Sequence, residues 1–87
     1  MQINIKFCGM WGYKSQAQSV ANEIKDKYPS AIVELVKGDR GIFEVMQVFE
    51  GGGVILFDKN EEQRFPIQEE IVELIHDDGY GGRKNES

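Results

Sequence analysis

Hydrophobic and polar residues alternate at the start of the chain. Ile3, Ile5 and Phe7 are each flanked by polar residues, and a period of two is typical of a strand with one buried face. The pattern predicts a first strand that ends near Cys8.

From Tyr13 onward the spacing of apolar residues changes to that of an α-helix. One helical face is formed by Ala17, Val20, Ala21, Ile24 and Tyr28. Pro29 then marks the end of this helix. The next apolar run, residues 31–36, predicts a second strand. Because a helix joins it to the first strand, we expect it to be well buried and parallel to that strand.

The second half of the chain predicts a hairpin and another helix. Residues 43–48 continue the strand pattern, and the glycines at 51–53 predict a turn into an antiparallel strand over residues 54–57. Pro66 suits the first turn of a helix. Its apolar positions would be Ile67, Ile71, Leu74 and Ile75, with an end near His76.

The predicted order is therefore strand, helix, strand, strand, strand, helix. This order gives an α/β fold in which helices pack on a four-stranded mixed sheet, a thioredoxin-like arrangement. A chain of 87 residues suffices for one domain. We expect that domain to span residues 1–77, and residues 78–87 to form a disordered tail because they contain little apolar surface.

Composition limits the partners that we expect. The chain has 15 acidic against 10 basic residues and a formal net charge of -5, which disfavours nucleic acid as a ligand. No apolar run is long enough to cross a bilayer, so no membrane association is expected. The first residues lack the pattern of an export signal, and we therefore expect a cytoplasmic protein.

The only cysteine, Cys8, lies where the first strand gives way to the helix. A helix N-terminus favours the thiolate form, which is the nucleophile of cysteine chemistry. Gly9 and Gly12 permit tight turns that would present the sulfur to solvent. The alternative is that Cys8 is a structural core residue.

Other residues offer less chemistry. His76 is the only histidine, and one His and one Cys are too few for a zinc site, so we expect no metal and no bound cofactor. The glycines at 51–53 lack the strand-to-helix context of a phosphate loop.

The segment from Phe7 to Lys14 resembles the signature of the selenoprotein W, T and H family, also called Rdx. There the loop between strand and helix contains Cys-x-x-selenocysteine, or Cys-x-x-Cys in selenium-free members. Further similarities are Tyr28-Pro29, the stretch 43–45 and the strand 53–59. By size, the chain is most similar to selenoprotein W.

This resemblance implies a redox function with glutathione as a co-substrate and an antioxidant role. The selenol or second thiol attacks a peroxide or disulfide, and Cys8 would be the resolving thiol. Trp11 occupies the attacking position, and an indole has no nucleophilic or acid–base capacity. The selenocysteine codon UGA differs by one base from the tryptophan codon UGG, so Trp11 is interpreted as standing for a selenocysteine of the parent protein.

Two alternatives remain open. Cys8 could work alone in a monothiol cycle that glutathione completes, or the domain could be a redox-inert or redox-switched module that docks proteins through the loop from Cys8 to Trp11. The resemblance implies 14-3-3 proteins as docking partners. One departure is that Gly41 and Ile42 stand where thioredoxins place a cis-proline that holds substrate.

Overall fold

Seven elements follow one another in residues 1–76, the part of the chain that the computed structural model describes. The elements are β1 (Gln2–Cys8), α1 (Tyr13–Lys27), β2 (Ile32–Gly38), β3 (Phe43–Phe49), β4 (Gly52–Asp58), α2 (Lys59–Glu62) and α3 (Glu70–Leu74).

The four strands form one mixed sheet in the order β2-β1-β3-β4. β1 pairs in parallel with β2 and antiparallel with β3, and β3 and β4 form an antiparallel hairpin. Its tight turn is closed by Gly51, whose φ is 92°, a value that glycine adopts without strain. The architecture is the thioredoxin-like mixed α/β arrangement that the sequence predicts.

The core lies between one face of the sheet and the helices. Alternate residues of β1 and β3 face it, and α1 adds the apolar stripe predicted from its spacing. The core side chains of these three elements are Ile3, Ile5, Phe7, Phe43, Val45, Ala17, Val20, Ala21 and Ile24. α1 packs on β1, β2 and α3. The opposite face of the sheet carries residues such as Asn4 and Lys6, and Lys6 is exposed.

The expectation that the second strand is well buried is wrong. β2 forms an edge of the sheet, because both hydrogen-bonding sides of β1 are occupied by β2 and β3 and no strand of residues 1–76 pairs with the outer side of β2. Val33 and Leu35 are half-buried on the helical side, whereas Ile32 and Val36 are exposed on the other.

The second predicted helix is shorter than the apolar spacing indicates. α3 begins at Glu70 rather than near Pro66, and Ile67 is 69% exposed. Before α3 the chain makes a turn in which the Glu70 amide donates to the Ile67 carbonyl over 3.1 Å. Glu69 takes a left-handed φ of 67°, which ends any continuous helix at that point.

The sequence analysis also missed α2, a single turn at the end of β4. Its first amide groups are capped by Asp58, whose carboxylate accepts from the Asn60 amide over 2.9 Å. The prediction of a disordered tail over residues 78–87 lies outside the described residues. None of the helices within residues 1–76 has the length and apolar character needed to cross a membrane.

Candidate redox loop

The candidate site is the loop from Cys8 to Gly12, which joins the end of β1 to the start of α1 and is called the redox loop below. Its first residue is fixed by the sheet and by the connector before β3. The Cys8 amide donates to the Ile42 carbonyl over 2.8 Å, and Cys8 lies opposite Gly38 at the end of β2. The backbone of β2 and of the connector therefore fixes the position of the first residue of the redox loop.

The sulfur of Cys8 is buried rather than presented to solvent. Cys8 is 3% exposed, and its Sγ accepts a hydrogen bond from the Met10 amide over 3.4 Å. The chain therefore turns back over the thiol immediately after β1. The expectation of a solvent-reachable Cys8 is wrong in this conformation, because the loop that was expected to expose the sulfur covers it.

The outer part of the redox loop is instead highly exposed. Trp11 is 99% exposed and Met10 is 54% exposed. Trp11 occupies the position that the sequence analysis compared with the family selenocysteine. A reactive group at position 11 would face solvent, whereas the Cys8 thiol of the same loop is buried.

Gly12 is the N-cap residue of α1, where the redox loop ends and the helix begins. Its φ of 91° is left-handed, a conformation that costs residues with a Cβ more than glycine. Its carbonyl accepts from the Gln16 amide over 3.3 Å and from Ser15 Oγ over 3.0 Å. Gly12 therefore fixes the direction in which α1 leaves the redox loop.

The start of α1 is anchored to the core by aromatic rings. Tyr13 meets Phe65 edge to face with 5.0 Å between ring centroids, and Phe65 meets the fully buried Phe43 in the same way at 5.3 Å. The Lys59 ammonium lies 5.7 Å and 5.3 Å from the centroids of Tyr13 and Phe65, a favourable cation–π geometry. Tertiary packing therefore holds the helical end of the redox loop.

Two lysines lie at the redox loop. The Lys37 side chain covers Gly9 so closely that a Cβ there would lie 2.5 Å from Lys37 Cε. Lys14, in the first turn of α1, lines a shallow hollow beside Gly9, Met10 and Trp11. Lys37 was not singled out from the sequence, although parallel pairing of the first two strands, extended by one residue, places it beside Phe7.

The structure separates His76 from Cys8. The amide and carbonyl of His76 are bonded to the side chain of Gln47, and Gln47 pairs with Ile3 near the start of β1. Cys8 is at the other end of that strand, roughly 16 Å further along. In residues 1–76 no group of three or more His, Cys, Asp or Glu side chains is placed to hold a metal ion.

Comparison with known families places this loop in context. The sequence profile of the Rdx family matches residues 2–77. The chain belongs to the Rdx family. This family covers selenoprotein W, T and H-type proteins, and membership indicates a redox-related, selenoprotein-like function. No individual curated protein matches the chain at a significant level.

The two residues predicted as the site, Cys8 and Trp11, are both in the redox loop. The first is buried and the second exposed. Lys14 lines the hollow beside them, whereas His76 lies at the other end of the sheet.

Proposed function

We propose that the chain is a selenoprotein W-like thiol or selenol oxidoreductase linked to glutathione, with position 11 as its attacking position. Support comes chiefly from the difference in exposure within the redox loop, where Trp11 is fully exposed and Cys8, three residues earlier, is buried. A selenol or thiol at position 11 could meet a peroxide or disulfide in solvent, and Cys8 could then resolve the product.

On this proposal Trp11 stands for the selenocysteine of the parent protein. An indole N–H is only a hydrogen-bond donor, so the chain with Trp11 lacks the first step of the cycle. The burial of Cys8 also argues against a monothiol cycle, since a disulfide must approach the attacking sulfur in line. We expect the Trp11 form to be weak or inactive, and the parent to act as an antioxidant.

The proposed oxidation of the protein balances as a thiol–disulfide exchange. A thiolate or selenolate at position 11 attacks one sulfur of glutathione disulfide, the S–S bond breaks, and one glutathione leaves and takes up a proton. The Cys8 thiol loses its proton and attacks the group at position 11, which releases the second glutathione. The protein is oxidised by two electrons, and one disulfide is reduced to two thiols.

The test uses the full chain with Trp11→Cys, alone and combined with Cys8→Ser, in the presence of glutathione disulfide. Intact mass after an acid quench should show an internal disulfide in the single variant and a stable glutathione adduct in the double variant. The Trp11 chain should show little adduct until denaturant exposes Cys8.

A Trp11→Ser chain is the matched control, because it removes the indole without adding a sulfur. If the Trp11→Cys chain stays fully reduced while free glutathione exchanges normally, or if single and double variants give the same product, the proposed chemistry is wrong. Reading the codon at position 11 tests the selenocysteine interpretation separately: UGA with an insertion element supports it, and UGG contradicts it.

A second candidate function is protein docking through the redox loop. The observation that favours it is the adjacent exposure of Met10 and Trp11, since exposed Trp is a frequent interface anchor. Family resemblance suggests 14-3-3 proteins as partners. Trp11→Ala should then abolish binding in a direct titration, whereas Cys8→Ser and Ile67→Ala, a control at an exposed apolar residue outside the redox loop, should not. Equal binding by all variants would exclude docking here.

We also propose a cytoplasmic location. A thiol or selenol centre that glutathione reduces needs a compartment that keeps thiols reduced. Imaging of the full chain with a tag at its C-terminus tests this, and accumulation in an oxidising compartment would contradict it.

A further inference from the structure

Lys37 packs directly on the redox loop. A Cβ at Gly9 would lie 2.5 Å from Lys37 Cε and 3.3 Å from Lys37 Nζ. The lysine stem therefore fills the space that the missing side chain leaves. Because Gly9 follows Cys8, the ammonium group lies at the redox loop, beside the backbone next to Cys8.

The Lys37 ammonium has no acidic partner in the described part of the chain. The ion pairs found within residues 1–76 both belong to Arg64, with Glu62 and Glu70. Lys37 is exposed at the end of the edge strand β2, so its charge faces solvent and remains available to a ligand. An ammonium on a flexible stem is a compact cation that can follow an anionic group.

The charge around the redox loop differs from that of the whole chain. The chain has a net charge of -5, yet Lys37 and Lys14 both border the loop. The connector beside Cys8 adds one charge of each sign, Asp39 and Arg40. The net charge disfavours an anionic substrate in general, whereas the two lysines favour it at the redox loop; a local charge opposite to that of the substrate is what electrostatic steering uses.

We propose that Lys37 is a specificity-determining residue that makes the redox loop prefer anionic disulfides over neutral and cationic ones. The inference rests on the proposed oxidoreductase function. Glutathione disulfide fits this substrate class, because its four carboxylates and two amines give a net charge of about -2 near neutral pH. Lys37 affects how the disulfide approaches the redox loop and how it is oriented there. It takes no part in the exchange of sulfur bonds.

The experiment measures oxidation of the Trp11→Cys chain by three disulfides of different charge. Glutathione disulfide is anionic, bis(2-hydroxyethyl) disulfide is neutral and cystamine is cationic. The rates are compared for Lys37, Lys37→Gln, Lys37→Glu and Lys37→Arg by acid quench and intact mass. Lys25→Gln, in the last turn of α1, removes the same charge away from the redox loop.

At low ionic strength we expect Lys37→Gln to slow oxidation by glutathione disulfide about threefold and Lys37→Glu about tenfold. Cystamine should react faster with the same variants, and the neutral disulfide should be unaffected. Lys37→Arg should keep the preference, and about 0.5 M salt should remove most of it. An unchanged rate with the neutral disulfide also shows that the variants remain folded.

Different failures have different meanings. If the Trp11→Cys chain reacts with none of the three disulfides, the oxidoreductase proposal is wrong and this inference falls with it. If the chain reacts but the order of the disulfides does not depend on Lys37, or Lys25→Gln has the same effect, only the inference is wrong.

Discussion

Gly12 is the residue at which the redox loop depends most directly on backbone conformation. Gly12 has a φ of 91° at the start of α1. A Cβ there would meet nothing within 4 Å, so any loss of stability on substitution comes from the backbone conformation alone. Gly12→Ala should lower the free energy of unfolding by about 1 kcal/mol, measured by urea denaturation.

Gly52→Ala is the matched control for that measurement. A Cβ at Gly52 also meets nothing within 4 Å, but Gly52 has no left-handed φ. It should therefore leave stability unchanged or slightly raised. Equal losses for both variants would show that the left-handed conformation of Gly12 is not what the glycine supplies.

At the same scale, the position of the redox loop between a strand and a helix could be predicted from the sequence, but the exposure of its side chains could not. The glycines at positions 9 and 12 suggest tight turns that expose the Cys8 thiol. The sulfur is buried because the Met10 amide returns to within 3.4 Å of it. That path depends on the whole loop and on its attachment to Ile42, which no local pattern encodes.

Among the elements, the clearest polar constraint joins β3 to the segment that follows α3. Gln47 is 1% exposed; its Nε2 donates to the His76 carbonyl over 2.7 Å, and its Oε1 accepts from the His76 amide over 2.8 Å. Both ends of a buried amide are thus satisfied by the segment that follows α3, as burial requires.

Gln47→Leu should therefore release this segment. The substitution removes both hydrogen bonds, and we expect a loss of about 1 to 2 kcal/mol in unfolding free energy with much faster hydrogen exchange at the His76 amide. Gln18→Leu, on the exposed side of α1, should change neither quantity. Retained protection at His76 in the Gln47 variant would contradict this assignment.

Elements with a strong, single pattern could be predicted, and elements shaped by tertiary contacts could not. β1, α1 and the β3–β4 hairpin follow from period-two alternation, a helical stripe and a glycine turn. β2 was expected to be buried because its apolar run is nearly continuous, but its exposure depends on sheet order. The region before α3 has helical spacing, yet an ion pair and a left-handed residue hold it as a turn.

That ion pair predicts a pH dependence for the turn before α3. Arg64 donates to both oxygens of Glu70 over 2.8 Å, and the Ile67 amide donates to Oε1 over 3.0 Å. These hydrogen bonds lower the pKa of Glu70 from 4.5 to about 2, and those from Arg64 have the largest effect.

Because the pKa is lower in the folded state, this contribution to stability is present above pH 4.5 and is lost as pH falls toward 2. Glu70→Gln should be less stable than the unsubstituted chain at pH 7, and the two should converge near pH 2. Urea denaturation across that range measures the difference. A difference that stays constant with pH would show that Glu70 does not titrate in this way.

At the scale of the whole sheet, the described residues cover one face and leave the other face and both edge strands uncovered. On the open face of β2, Glu34 separates the exposed side chains of Ile32 and Val36. Charged residues on edge strands disfavour pairing between molecules. The net charge of -5 acts in the same direction through mutual repulsion.

Glu34→Val should therefore promote self-association. It would create a continuous apolar row, Ile32 to Val36, along a free sheet edge, and such edges pair with one another. Light scattering coupled to size exclusion should show a larger mass that increases with concentration. Glu73→Val, which removes the same charge from an exposed position on α3, should leave the mass unchanged. If both variants associate equally, loss of charge rather than the edge of β2 is responsible.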